Sequence, residues 1–170
     1  MKRMVGVLLL VLAQPAWSAD DPPGCAWLCG DWVLDVAASA AAEPVVDAAL
    51  EKFRSPDIKQ QVRAQLLALL SPPTSLVLGE QGKQVLIRWG DNPERRFFPG
   101  EPHSRVDAQG TAKIRSEWKK DSLIINESYG SKREQTETYA LLPDGTLQMT
   151  RVLERPEAKT MRLRSIYRRR

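Results

Sequence analysis

The apolar and polar positions of this chain change period twice after the N-terminal region. Residues 31–35, Asp-Trp-Val-Leu-Asp, predict a first short strand. An alanine-rich stretch follows over residues 37–42. From Glu43 onward Val45, Val46, Ala49, Leu50 and Phe53 recur at helical spacing, with Pro44 suited to a first turn. Ser55-Pro56 opens a second helix, with Ser55 as N-cap and Ile58, Val62, Leu66, Leu69 and Leu70 as its apolar stripe. Ser71-Pro72-Pro73 stops it, because the residue before a proline avoids helical geometry. The two helices form a hairpin-like insert over about residues 43–71.

After Pro73 the period becomes two. Strands are predicted over residues 74–80, 83–89, 94–98, 111–118, 122–129, 132–142, 146–154 and 159–168. The turns between them carry Gln81-Gly82, Lys120-Asp121, Pro143-Asp144-Gly145 and Arg155-Pro156-Glu157. The segment with Pro99, Gly100 and Pro102 reads as a loop, and the lone histidine, His103, falls in it. In the last strand Met161, Leu163, Ser165 and Tyr167 share one face, and Arg162, Arg164 and Ile166 share the other. The fold class is therefore mainly β. The expected architecture is an antiparallel barrel of eight or nine strands, or a strongly curved meander sheet, with the helical hairpin inserted after the first strand. Alternation places one apolar row inside and one charged row outside.

The N-terminus sets the compartment. Lys2 and Arg3 precede a nine-residue apolar run over residues 5–13, then Gln14-Pro15 and the small residues Ala16, Ser18 and Ala19. That is the order of a secretory signal peptide, assigned to residues 1–19, with residues 20–170 as a single domain. The run is too short to span a bilayer, which takes about 20 apolar residues, and no later stretch is longer. The expected location is periplasmic or secreted, where a disulfide between Cys25 and Cys29 is favoured. Two thiols and one distant histidine make a poor metal set. Their spacing also differs from that of redox-active cysteine pairs.

Charge is uneven. Residues 20–85 hold 5 basic and 9 acidic side chains, a net of −4, and residues 86–170 hold 18 and 12, a net of +6. A solvated exterior explains this; an anionic lipid surface is the partner class a positive face admits. Nucleic acid is not expected, for want of an aromatic stacking platform. Glu117, Glu127, Glu134 and Glu137 lie on neighbouring strands among Lys and Arg, which reads as cross-strand ion pairing on a solvated face. No nucleophile elbow and no phosphate loop is present, so neither catalysis nor a cofactor is expected.

Gly30-Asp31-Trp32 at the first strand, the meander, and the basic last strand ending Ile166-Tyr167-Arg168 together resemble the lipocalin-like, or calycin, group. The resemblance covers most of residues 30–170 apart from the helical insert. It implies that a tryptophan at the barrel base, Trp32, is covered by an arginine of the last strand, Arg168 or alternatively Arg164. The later strands are also similar to exported bacterial proteins with a Trp-x4-Leu-x-Ile pattern, a Thr-x-Thr-Tyr strand and an Asp-Gly turn. Trp118, Leu123, Ile125, Thr136, Thr138, Tyr139, Asp144 and Gly145 carry it.

The function expected is a non-enzymatic binding module with a small apolar or amphipathic ligand in the barrel. Alternation suggests Ile114, Trp118, Leu147, Met149, Met161 and Leu163 as its cavity-facing residues. The alternative is a structural component of the cell envelope with a filled barrel and a protein partner. Expressed with its own leader, the protein should be recovered starting at Ala19 or Asp20, as read by N-terminal sequencing. Recovery of an intact Met1 from the exported fraction would refute the signal assignment.

Overall fold

A computed structural model describes residues 25–107, 110–131, 133–156 and 158–170. The signal-peptide assignment lies outside them. Among the described residues ten antiparallel strands form one curled sheet: β1 (Gly30–Leu34), β2 (Ser75–Gln81), β3 (Gln84–Trp89), β4 (Arg95–Phe97), β5 (His103–Asp107), β6 (Gly110–Lys119), β7 (Ser122–Ser128), β8 (Glu134–Leu141), β9 (Leu147–Glu154) and β10 (Met161–Arg169). Helices α1 (Ala42–Ala49) and α2 (Pro56–Leu70) join β1 to β2, where the helical period places them. Ser55 takes the N-cap position of α2 in extended geometry, with Pro56 starting the helix, but its side chain makes no capping bond. Among the described residues no helix is long and apolar enough to cross a membrane.

The strand order is β4-β3-β2-β1-β10-β9-β8-β7-β6-β5. The first and last strands pair at the centre, and the sheet's two edges, β4 and β5, are left without ladder bonds to each other. The barrel is thus open along one seam. Nine of the strands follow the predicted pattern. The tenth, β5, replaces the expected loop and carries His103, which therefore sits on a strand. Its alternating positions His103, Arg105 and Asp107 are all polar, so it shows no apolar period.

The interior has two apolar clusters. One fills the base and includes Trp32, Leu76, Ile87, Ile125, Leu147 and Tyr167. The other lies under the helices, where Val46, Leu50, Leu66 and Leu70 meet Leu153, Met161 and Leu163. Burying such side chains contributes roughly 1.5–3 kcal/mol each, so each cluster holds its end of the barrel.

The base is closed by a short 3-10 turn at Cys25–Trp27, whose Cys25 forms a disulfide with Cys29 over a Cα–Cα distance of 5.5 Å. Leu28 is fully buried beside it, and the Trp32 indole N–H donates to the Leu28 carbonyl at 3.0 Å. The guanidinium over Trp32 belongs to Arg169, 4.9 Å from the ring centroid, rather than to Arg168 or Arg164. Register explains the correction: Trp32 pairs with Arg169, so both point to the same face. Arg168 faces outward and donates to Asp35 at 2.6 Å.

Gly30 lies between these parts with φ +145°, and a Cβ there would stand 3.5 Å from the Arg169 guanidinium. Space permits a methyl group; the backbone angle does not. Gly30→Ala should lower unfolding free energy by about 1–3 kcal/mol, read from urea denaturation. An unchanged midpoint would show that the strand start tolerates a side chain.

Candidate functional site

The inward faces of β7, β8 and β9 are interrupted by charge. Glu127, Glu137 and Arg151 are buried, the last two only 1 % exposed. The solvated-face reading of Glu127 and Glu137 is therefore wrong. On β9, Arg151 stands between inward Met149 and Leu153, and it pairs across the ladder with Glu137 on β8. These groups form a polar layer between the two apolar clusters.

Glu137 is its centre. Its Oε1 accepts from the Gln135 amide at 2.7 Å, and its Oε2 accepts from the Tyr139 hydroxyl and from Arg95 Nη2, both at 2.8 Å. Arg151 Nε stands 3.6 Å from Oε1 as an ion pair. Burial by itself raises the Glu137 pKa, but the charges of Arg95 and Arg151 and the bonds from Arg95 and Tyr139 overcome it, so the carboxyl is held below its ordinary value. Burial and the Glu137 charge push the Tyr139 phenol far up, so it stays a donor. Burial opposes the charge of Arg95 as well; Glu137 and Glu127 reverse that and hold it protonated.

Trp89 at the end of β3 lies between two of these guanidinium groups. The Arg95 carbon stands 4.2 Å from its ring centroid and that of Arg151 4.4 Å. Its indole N–H donates to Tyr139 at 3.3 Å. Arg151 also reaches the helical cap: its Nη1 donates to the Leu69 carbonyl at 2.8 Å, at the C-terminal end of α2. A cation there suits the negative end of the helix dipole. Tyr167 adds a second tie, donating to the Pro73 carbonyl at 3.1 Å.

A second group lies toward β5. Arg105 donates to Glu127 at 3.0 Å and to the Tyr129 hydroxyl at 3.3 Å, and Tyr129 donates to Asp107 at 2.7 Å. Burial and this bond to Asp107 raise the Tyr129 pKa. Arg95 is 3.8 Å from Glu127, which links the two groups across the seam.

At the seam a pocket of about 520 Å³ opens between the sheet edges. Its lining includes Trp89, Pro93, Arg95 and Arg96 from the β3–β4 side, and His103, Ser104, Arg105 and Ile114 from β5 and β6. His103 packs edge-on against Phe97 and Phe98, at centroid distances of 6.5 and 5.1 Å. Among the described residues the buried atoms Arg95 Nε, His103 Nδ1, Arg151 Nε and Arg151 Nη2 have no hydrogen-bond partner. Of the six residues suggested as cavity-facing, Ile114 alone lines this pocket. Trp118, Leu147 and Met149 belong with Ile114 to the base cluster, where Trp118 packs 5.8 Å from Trp27. Met161 and Leu163 lie under the helices. Among the described residues, no group of three or more His, Cys, Asp or Glu is arranged to hold a metal.

No family model and no curated protein sequence matches the chain. Solved structures do. A "REP1-NXSQ fatty acid transporter" aligns over 85% of this chain and 97% of its own, at 15% identity and a TM-score of 0.52. Secretory abundant heat soluble protein 4 from Ramazzottius varieornatus aligns over 89% and 99%, at 16% identity and 0.54. A fatty-acid-binding protein from Drosophila melanogaster brain tissue aligns over 81% and 95%, at 11% identity and 0.50. At such identities the likeness is one of fold, and the fold is a lipocalin/calycin-like β-barrel.

Glu137→Gln leaves two buried guanidinium groups short of a counter-charge and should cost about 3–5 kcal/mol. Because the folded-state pKa of Glu137 is depressed, its stabilisation is complete above the unfolded value of about 4.3 and is lost as pH falls through the lower folded value. Urea midpoints followed from pH 7 to about pH 2 should therefore fall less steeply below pH 4 in Glu137→Gln than in the wild type. Parallel curves would remove Glu137 from the linkage.

Proposed function

We propose that the chain is a non-enzymatic binding module that holds a small apolar or amphipathic ligand within the barrel. The observation that carries this reading is the seam pocket, whose volume of about 520 Å³ falls in the range of small-molecule sites. Its walls combine apolar surface from Trp89, Pro93 and Ile114 with a few converging polar groups. That is the composition of a site that desolvates a ligand and fixes its orientation. Structural neighbours titled as a fatty acid transporter and a fatty-acid-binding protein support the same reading.

The charges support binding over catalysis. Glu127 and Glu137 face arginines rather than a substrate path, and Glu137, held low by the guanidinium groups beside it, is a weak general base. The Cys25–Cys29 disulfide accords with work outside the reducing cytoplasm.

Native mass spectrometry of the protein purified from its host without detergent tests the proposal. A retained small molecule is expected, lost in Ile114→Trp, which fills the pocket wall. In fluorescence titration with 1-anilinonaphthalene-8-sulfonate, the same variant should weaken binding by about tenfold, roughly 1.4 kcal/mol. A wild-type protein that carries no ligand and binds neither this probe nor a panel of fatty acids and their esters would overturn the reading.

A further inference from the structure

Granted ligand binding at the seam, we infer that the polar end of the pocket is an oxyanion subsite formed by Arg95 and Arg105. The ligand's charged head then sits between β4 and β5, and its apolar body points into the barrel. Each edge of the seam contributes one of these arginines, Arg95 from β4 and Arg105 from β5. Both line the pocket, and both reach the same buried carboxylate, Glu127, at 3.8 and 3.0 Å. Two cations thus converge from the two strand edges on Glu127, each with a second carboxylate beside it, Glu137 at 2.8 Å from Arg95 and Asp107 at 3.4 Å from Arg105, at a place where no backbone ladder holds the edges together.

The remaining bonding capacity identifies the ligand chemistry. Among the described residues Arg95 Nε is a buried donor with no acceptor, and the buried His103 Nδ1 on the opposite edge has no partner either. Native proteins rarely leave such groups unmatched, so each calls for a partner. For a guanidinium N–H the strongest is a charged oxygen. Of the arginines that line the pocket, Arg96 is engaged at the rim with Glu94 at 3.5 Å, which leaves Arg95 and Arg105 on its inner side. Trp89, Pro93 and Ile114 supply the apolar wall beside them. A bare inorganic anion leaves that wall unused; an oxyanion on an apolar body meets both.

The test compares 11-(dansylamino)undecanoic acid with its methyl ester in fluorescence titrations of the delipidated mature protein. The wild type should bind the acid at least about tenfold more tightly than the ester. The double variant Arg105→Gln/Glu127→Gln removes a cation together with its buried partner, and should narrow the ratio to about twofold or less. Arg105→Lys keeps the charge and loses the forked geometry, so it should give an intermediate ratio; it serves as the readout if the double variant does not fold. Arg168→Gln, on the outward face where it pairs with Asp35 away from the seam, should keep the wild-type ratio. Equal binding of acid and ester by the wild type, a ratio that survives both Arg105 variants, or one that collapses equally in Arg168→Gln would each overturn the subsite while leaving the binding reading intact. Failure of the wild type to bind either probe would overturn both.

Discussion

The barrel is organised around one buried arrangement: Glu137 between Arg95 and Arg151, with Trp89 held between the two guanidinium groups. Each member comes from a different strand, and Arg151 extends the set to the carbonyls that end α2. Taking three charges out of water is costly unless geometry and hydrogen bonds compensate. Here Gln135, Tyr139 and the α2 terminus supply that compensation. Apolar side chains of similar volume often serve stability as well as buried ion pairs do. Stability alone therefore does not account for this set. What an apolar version lacks is a cationic lining inside the barrel.

The same arrangement explains which parts of the barrel are closed. The base is sealed by the disulfide-bonded turn, by Leu28, and by Arg169 over Trp32. The opposite end is covered by α1 and α2, which bury their own apolar cluster and are tied down through Arg151 and Tyr167. The seam has no ladder between its edges. Side chains bridge it, Arg95 to Glu127 and the rings of Phe97 and Phe98 to His103. The seam is thus bridged by side chains, whereas the base is held by a disulfide-bonded turn and the opposite end by two packed helices.

Much of this was legible in the sequence. Period-two alternation and the turn residues locate nine strands, and helical spacing locates both helices. The tenth strand was hidden because its alternating positions are His103, Arg105 and Asp107, which give no apolar period. The polar layer was hidden for a related reason: period two separates two faces but assumes that the charged one is outside. Two signals were available. Arg151 lies between Met149 and Leu153 on an apolar row, and Glu137 shares its face with Tyr139. Parity also identifies the arginine over Trp32, since the row Met161, Leu163, Ser165, Tyr167 continues to Arg169, not Arg168. The seam pocket had no local signature, because it joins residues separated by the whole β4–β5 connection.

Indole resonances offer the most direct reading of where a ligand sits. Trp27 and Trp32 belong to the base, Trp118 packs on Trp27, and Trp89 alone among them stands at the seam. In proton–nitrogen correlation spectra of the delipidated protein titrated with an amphipathic ligand, the Trp89 indole N–H and the Arg95 Nε–H should shift. The Trp32 signal should stay in place. Saturable shifts confined to Trp27, Trp32 and Trp118, with Trp89 unmoved, would place the ligand at the base and contradict binding at the seam.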